Sequence, residues 1–187
     1  MLSPSGYKIE KPLNGLEPVV QAWITIVSDC CVTIPQAGNF WSNERQFCAL
    51  LCAAAWRANA LGLTEVKTRR AEAGNGHADL LLVTDGTDRL AIEAKFKWIS
   101  TSAHIAQASS KLQEAHREAA ALPPELAQHR LGVLFAACWI NNSATLGALF
   151  RQLHNTFRSM DVLAWSIAAG SEGTFHCPGV FLIGRMV

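Results

Sequence analysis

Three short segments in the middle of the chain carry the alternating or continuously apolar pattern of β-strands. They are Thr64–Glu72, His77–Asp85 with its run ADLLLV, and Arg89–Trp98 with LAIEAKFKW. Gly74-Asn75-Gly76 and Asp85-Gly86-Thr87 separate them, and short glycine-containing turns predict an antiparallel meander. Helical periodicity flanks this meander on both sides. The preceding segment, ERQFCALLCAAAWRANAL, is apolar on nearly every face, which predicts a helix buried on more than one side. Ser42 or Asn43 supplies its N-cap; it is expected to run to about Leu61 and to end at Gly62. In the following segment, Ser102–Leu122, Ile105, Ala108, Leu112, Ala115, Ala119 and Leu122 recur at three and four residues, an amphipathic stripe that Pro123-Pro124 stops.

The outer segments complete the pattern. Residues 1–16 are rich in Pro, Gly and Ser and read as an extended arm. Glu17–Cys31 reads as a helix with Pro18 in its first turn, followed by a loop at Pro35–Asn39. Leu131–Ile140 is a continuous apolar run, the mark of a strand buried on both faces. Ser143–Phe157 predicts a helix capped by Ser143 or Asn142, and Asp161–Ala169 and Val180–Val187 predict closing strands. The expected fold is α/β, a central mixed sheet flanked by helices. An N-terminal arm and helix occupy residues 1–40, and one α/β domain fills residues 41–187 with its core at 41–140.

Composition narrows the picture mainly by exclusion. With 187 residues, half of them hydrophobic, one compact domain can bury a core without disulfides or a structural metal. The formal net charge of +1 rules out a basic nucleic-acid coat and an acidic tail, so any affinity for nucleic acid must come from a local cluster. Met1–Lys11 lacks the pattern of a secretion signal, and Val19–Ile34 is too short and too interrupted to span a bilayer. A soluble, cytoplasmic chain with no membrane partner is expected. The six cysteines form no C-x-x-C pair. Cys48 and Cys52 lie one helical turn apart, Cys30 and Cys31 are adjacent, and Cys138 sits in an apolar strand, as buried thiols do in a reducing compartment. A zinc set drawn from Cys48, Cys52, His176 and Cys177 is the weaker alternative.

Chemistry enters at the two central strands. Side chains alternate faces along a strand, so Glu93, Lys95 and Lys97 share one face while Ala94, Phe96 and Trp98 share the other. The hairpin can bring Asp79 beside Glu93, in a register that the sequence leaves open. Two neighbouring carboxylates repel each other and are costly to bury. A divalent cation resolves that conflict: Mg²⁺ takes oxygen ligands and uses only one or two carboxylates, completing its shell with water and phosphate oxygens. His77 sits in a turn and imidazole is a poor Mg²⁺ ligand, so it reads as structural. His116, His129 and His154 have no company that makes them ligands, and the six tryptophans read as packing rather than base-stacking platforms.

At these residues the sequence resembles the PD-(D/E)xK nuclease superfamily, whose members share a restriction-endonuclease-like core. The match is Gly76-His77-Ala78-Asp79 followed, after a hairpin, by Ile92-Glu93-Ala94-Lys95. The order helix, three-strand meander, helix, strand also fits, and the resemblance covers roughly residues 41–140, with an extra C-terminal helix and strands beyond. Ala78 stands where many members have proline. Gln107 is followed four residues later by Lys111 rather than by the aromatic residue of some exonuclease-like branches.

The resemblance implies Mg²⁺- or Mn²⁺-dependent phosphodiester hydrolysis, with DNA as the expected substrate and RNA left open. Asp79, Glu93 and the Ala94 carbonyl would hold the metal, Lys95 would position or activate the attacking water, and Glu44 would bind a second metal. Glu44 in a helix's first turn also favours the helix dipole without any catalytic role. Lys97, Gln107 and Lys111 would contact phosphate or the surroundings of the water, and Lys67, Arg69 and Arg70 form a basic run that would track a phosphate backbone. Two other readings stand beside this one: a nuclease-fold interaction module that no longer cuts, and a toxin or defence nuclease acting with a partner protein. A homodimer is a third matter, since duplex cutting usually wants two sites.

Overall fold

The computed structural model describes residues 3, 5–33, 43–70, 74–84, 88–138, 143–167 and 179–187. The segment expected as an arm contains a strand, β1 (Ser5–Ile9), and one turn of 3-10 helix, Leu13–Leu16. Two apolar leucines anchor that turn in the core. Next come α1 (Glu17–Thr33) and α2 (Glu44–Arg57). Asn43 caps α2: its side-chain oxygen accepts the Gln46 amide at 3.1 Å. Ser42 and the Pro35–Asn39 loop lie outside the described residues.

The end of α2 differs from expectation. The helix stops at Arg57, and Leu61 and Gly62 already belong to the next strand. Asn59 makes the turn at φ 58°, a left-handed conformation that asparagine tolerates better than most residues. Two hydrogen bonds close the cap, Ala60 N to Ala55 O at 2.8 Å and Asn59 N to Trp56 O at 3.2 Å, which is the Schellman arrangement.

The meander follows as β2 (Leu61–Arg70), β3 (Gly74–Thr84) and β4 (Asp88–Ile99). Both pairings are antiparallel, as expected. Gly74, Asn75 and Gly76 are paired residues of β3 rather than the turn itself, because Arg70 already faces Gly74. The residues joining the strands, including Asp85-Gly86-Thr87, lie outside those described. Then come α3 (Ser102–Ala120), β5 (His129–Cys138), α4 (Ser143–Phe157), β6 (Val162–Ile167) and β7 (Gly179–Met186). All seven strands join one sheet in the order β1-β6-β7-β5-β4-β3-β2, mostly antiparallel with β4 and β5 parallel. The protein is thus α/β with a mixed sheet and four α-helices among the described residues.

Helices cover both faces of the sheet. On one face α1 and α2 bury Trp23, Phe47 and Leu51 against Leu80, Ile92 and Phe135. Phe47 stacks on Phe96 and Phe135 with centroids 5.4 and 5.1 Å away. On the other face α3 and α4 bury Ile105, Leu112 and Phe150 against Leu134 and Phe181. Each such side chain contributes about 1.5–3 kcal/mol on burial. From Leu131 to Cys138, β5 is buried at every position, as its continuous apolar run predicts. Gly132 lets α3 approach this strand closely: a Cβ there would lie 2.4 Å from the His116 nitrogen. The thiols of Cys48 and Cys138 are buried and those of Cys30 and Cys52 half-buried, and these four form no disulfide; Cys31, His176 and Cys177 lie outside the described side chains. No described helix is long and apolar enough to cross a membrane.

Candidate active site

The β3–β4 ladder ends at the pair Leu80–Ile92. The next residues beyond it are Asp79 and Glu93. From there β3 continues against β2 and β4 against β5. Asp79 bridges the point where the ladder stops: its Oδ2 accepts the Ala94 amide at 2.7 Å. On β4 the expected alternation holds. Ala94, Phe96 and Trp98 pack with α1 and α2, whereas Lys95 points to α3. Glu93 is only 2% exposed, an acidic residue in a strand whose neighbours Ala91, Ile92 and Ala94 are core.

Lys95 is held by a residue absent from the sequence-derived set. Its Nζ donates to Glu118 Oε2 on α3 at 2.7 Å, with the lysine side chain 15% exposed. Burial works to lower the Lys95 pKa. The Glu118 hydrogen bond and the charges of Glu44, Glu118 and Asp79 outweigh it, so the ammonium titrates above the ordinary lysine range. Lys95 is therefore an ammonium held in place by Glu118.

Glu44 enters from the first turn of α2, half-buried, and interacts electrostatically with Lys95 and Asp79. Burial, partly countered by Lys95, raises its pKa. The same cause, partly countered by the Ala94 amide and Lys95, raises that of Asp79. A pocket of about 340 Å³ opens beside them, lined by Glu44, Arg45, Cys48, Ala49, Thr64, Glu65 and Asp79. Glu65 is a second acidic residue that the sequence did not single out. It sits in β2 at φ 54°, a conformation rare for a side chain with a Cβ, and its carboxylate lies 3.4 Å from the Arg45 guanidinium. Ladder pairs Thr64–Leu80 and Val66–Ala78 flank it, which puts Glu65 opposite Asp79.

The remaining expected residues are more scattered. Lys97 is half-buried on β4, on the face of Glu93 and Lys95. Lys111 is taken up by Glu114 on its own helix at 2.7 Å, and Gln107 is exposed on α3. Lys67 is exposed on β2, paired in register with His77, which is on β3 rather than in a turn and is likewise exposed. Arg69 and Arg70 continue β2, and their side chains lie outside those described. The basic run thus lies on an edge strand, beyond the pocket.

The donor chemistry suits a hard cation: Asp79 and Glu93 supply carboxylate oxygens, the ligands Mg²⁺ prefers. Among the described residues no three His, Cys, Asp or Glu side chains converge as metal ligands, so Glu44 does not complete a tighter cage.

A carboxyl whose pKa is raised by folding makes the protonated form the better folded one. At pH above that raised value the charge costs stability, and the cost is relieved as pH falls through it. Asp79→Asn keeps an acceptor for the Ala94 amide and removes the charge. It is expected to raise the melting temperature at pH 7 by a few degrees, with the gain fading as pH falls toward the ordinary carboxylate range. Equal melting temperatures at both pH values would contradict the burial argument.

No family model matches the chain, and no curated protein or solved structure is significantly similar to it.

Proposed function

We propose that the chain is a metal-dependent nuclease of restriction-endonuclease-like architecture that hydrolyses phosphodiester bonds of DNA. One observation carries the reading: Asp79 and buried Glu93 fall on adjacent strands immediately past the end of their ladder, with the Lys95 ammonium two residues further along the same face. The helix, antiparallel meander, helix and parallel strand around them agree with the architecture that the resemblance implies.

Asp79 and Glu93 would hold the ion. A bound Mg²⁺ or Mn²⁺ polarises a phosphoryl oxygen and lowers the pKa of a water. The chain's own groups do the rest. Glu118 Oε2 takes one of the three Lys95 N–H donors, which leaves two for a water or a phosphate oxygen. The cation's fixed charge offsets the negative charge that builds on the phosphate oxygens. Asp79 is itself fixed by the Ala94 amide, so its second oxygen keeps a constant direction.

Purified protein is expected to cut DNA with Mg²⁺ or Mn²⁺ and to stop on chelation, with Asp79→Asn and Glu93→Gln inactive under the same conditions. Failure to cut single-stranded, duplex or branched DNA, or RNA, with either metal sinks the reading. The second reading is a nuclease-fold interaction module that no longer cuts. Calorimetric Mg²⁺ titration separates the two, because a module shows no heat that depends on Asp79 and Glu93.

A further inference from the structure

Of the tryptophans whose placement is described, Trp23 and Trp165 are buried and Trp98 is half-buried, but Trp56 is 58% exposed. It is also held in place. Its indole N–H donates to the Gly62 carbonyl at 3.1 Å, which satisfies its one polar atom and steadies the ring over β2. Gly62 lies hard against α2, where a Cβ would meet the Cys52 sulfur at 2.9 Å. Three residues further along β2 stands Glu65, which lines the pocket with Asp79. Three strand residues span about 10 Å, so Trp56 stands close to the proposed cutting end.

The exposed side of α2 joins the two places. Arg45, Ala49, Ala53 and Trp56 follow one another at four, four and three residues, a spacing that lines them up on one side of a helix, and all four are exposed. A cation stands at one end of this strip and an aromatic ring at the other, with only alanine methyls between. The Arg45–Glu65 contact is long, 3.4 Å, and the arginine side chain is 87% exposed, so the guanidinium is available to an incoming anion. Eleven helical residues measure about 16 Å, roughly five steps of a stacked nucleic-acid strand at about 3.4 Å each.

We propose that a single strand of DNA lies along this side of α2, with Arg45 on a backbone phosphate beside the pocket and Trp56 stacked on an unpaired base. The inference rests on the nuclease reading for the direction of the strand and adds the form of the substrate. A free base offers its π-face to an aromatic ring whatever its identity. In a duplex that face is already stacked, so the strip selects unpaired DNA and shows little sequence preference. The small residues between the two anchors leave room for the sugar-phosphate chain to pass.

Binding is tested apart from cutting, with a dye-labelled oligothymidylate of twelve nucleotides, followed by anisotropy with chelator present. Trp56→Ala is expected to weaken binding about tenfold, and Trp56→Phe to restore most of it, as stacking on a ring requires. Arg45→Ala is expected to lower the slope of log affinity against log salt by about 0.7, the value for one single-strand phosphate contact. A duplex of the same length should bind more weakly than the single strand and respond less than twofold to Trp56→Ala. Both substituted residues are exposed, and far-ultraviolet circular dichroism checks that the variants fold.

The proposal is overturned if the wild-type chain does not bind the oligonucleotide, or if Trp56→Ala binds it as tightly as wild type. It is also overturned if sedimentation shows a self-associating protein that Trp56→Ala makes monomeric, since the strip is then a contact between two copies. Trp56-dependent binding without cleavage under either metal keeps this inference and removes the nuclease reading. Cleavage that ignores Trp56 does the reverse.

Discussion

Lys95→Ala is expected to slow DNA cleavage at saturating Mg²⁺ by about 10²–10³-fold, the usual cost of removing one donor aimed at developing charge. Its folding transition should remain cooperative. The Nζ is held 2.7 Å from Glu118 and the charges of Glu44, Glu118 and Asp79 favour its ammonium form, so it offers a charge in a fixed place. Losing it leaves Glu118 with access to water, so the cost in stability stays near about 1 kcal/mol. Lys95→Arg discriminates between roles. A positioned cation survives in part as arginine, whereas a lysine acting as base would lose activity equally in both variants. Single-turnover rates for the three proteins, with urea melts beside them, check the prediction. Equal rates for Lys95→Ala and wild type would remove Lys95 from the site.

Gly132→Ala is expected to destabilise the protein by about 3 kcal/mol, at the upper end of what overpacking costs. The added carbon would lie 2.4 Å from His116 N, 2.5 Å from His116 Cα and 2.7 Å from Ala115 C. These are backbone atoms of α3 and cannot turn aside as a side chain does. The helix must lift away from β5. Because α3 carries Glu118 only two residues beyond His116, cleavage should fall along with stability. Gly147→Ala is the control. It lies inside α4, where the nearest atom is Arg151 Nη1 at 3.6 Å, an ordinary contact, and alanine suits a helix better than glycine by about 1 kcal/mol. Chemical denaturation of both variants should show opposite signs, and an unchanged midpoint for Gly132→Ala would mean that α3 is not packed this tightly.

Residues whose place depends on local periodicity were readable from the chain itself. The face shared by Glu93, Lys95 and Lys97 follows from a period of two, and the short connection of β3 to β4 brings Asp79 alongside. The stripe from Ile105 to Ala119 is buried, as its spacing of three and four requires. What escaped depended on chain partners far away. β1 has one partly buried apolar residue, Ile9, and an exposed Tyr7, so nothing in its pattern signals a strand; it exists because β6 supplies the pairing. Glu118 looks like one more charge beside the helix's apolar stripe until α3 is laid across β4. A signal was nonetheless there. Glu118 adjoins Ala115 and Ala119 on the packed side, where an acidic residue needs a partner. Asn59 ends α2 ahead of Gly62 because asparagine also accepts a left-handed turn, a competition that residue counting does not resolve. Trp56 was grouped with the packing tryptophans for the same reason: exposure is a tertiary property.

The order of strands also sets an order of assembly. Ser5 pairs with Ser166, and β6 pairs in turn with β7, which sits between β6 and β5. On a ribosome β1 therefore waits until β6 has been made before it meets its neighbour. Glu44 to Cys138 is different: each of its strands except β5 finds every partner within the same stretch, and it holds all the residues of the candidate site. The stretch that carries the candidate site can thus take shape before β7 is made, while β5 keeps one side unpaired until β7 emerges and the sheet closes in a later, long-range step.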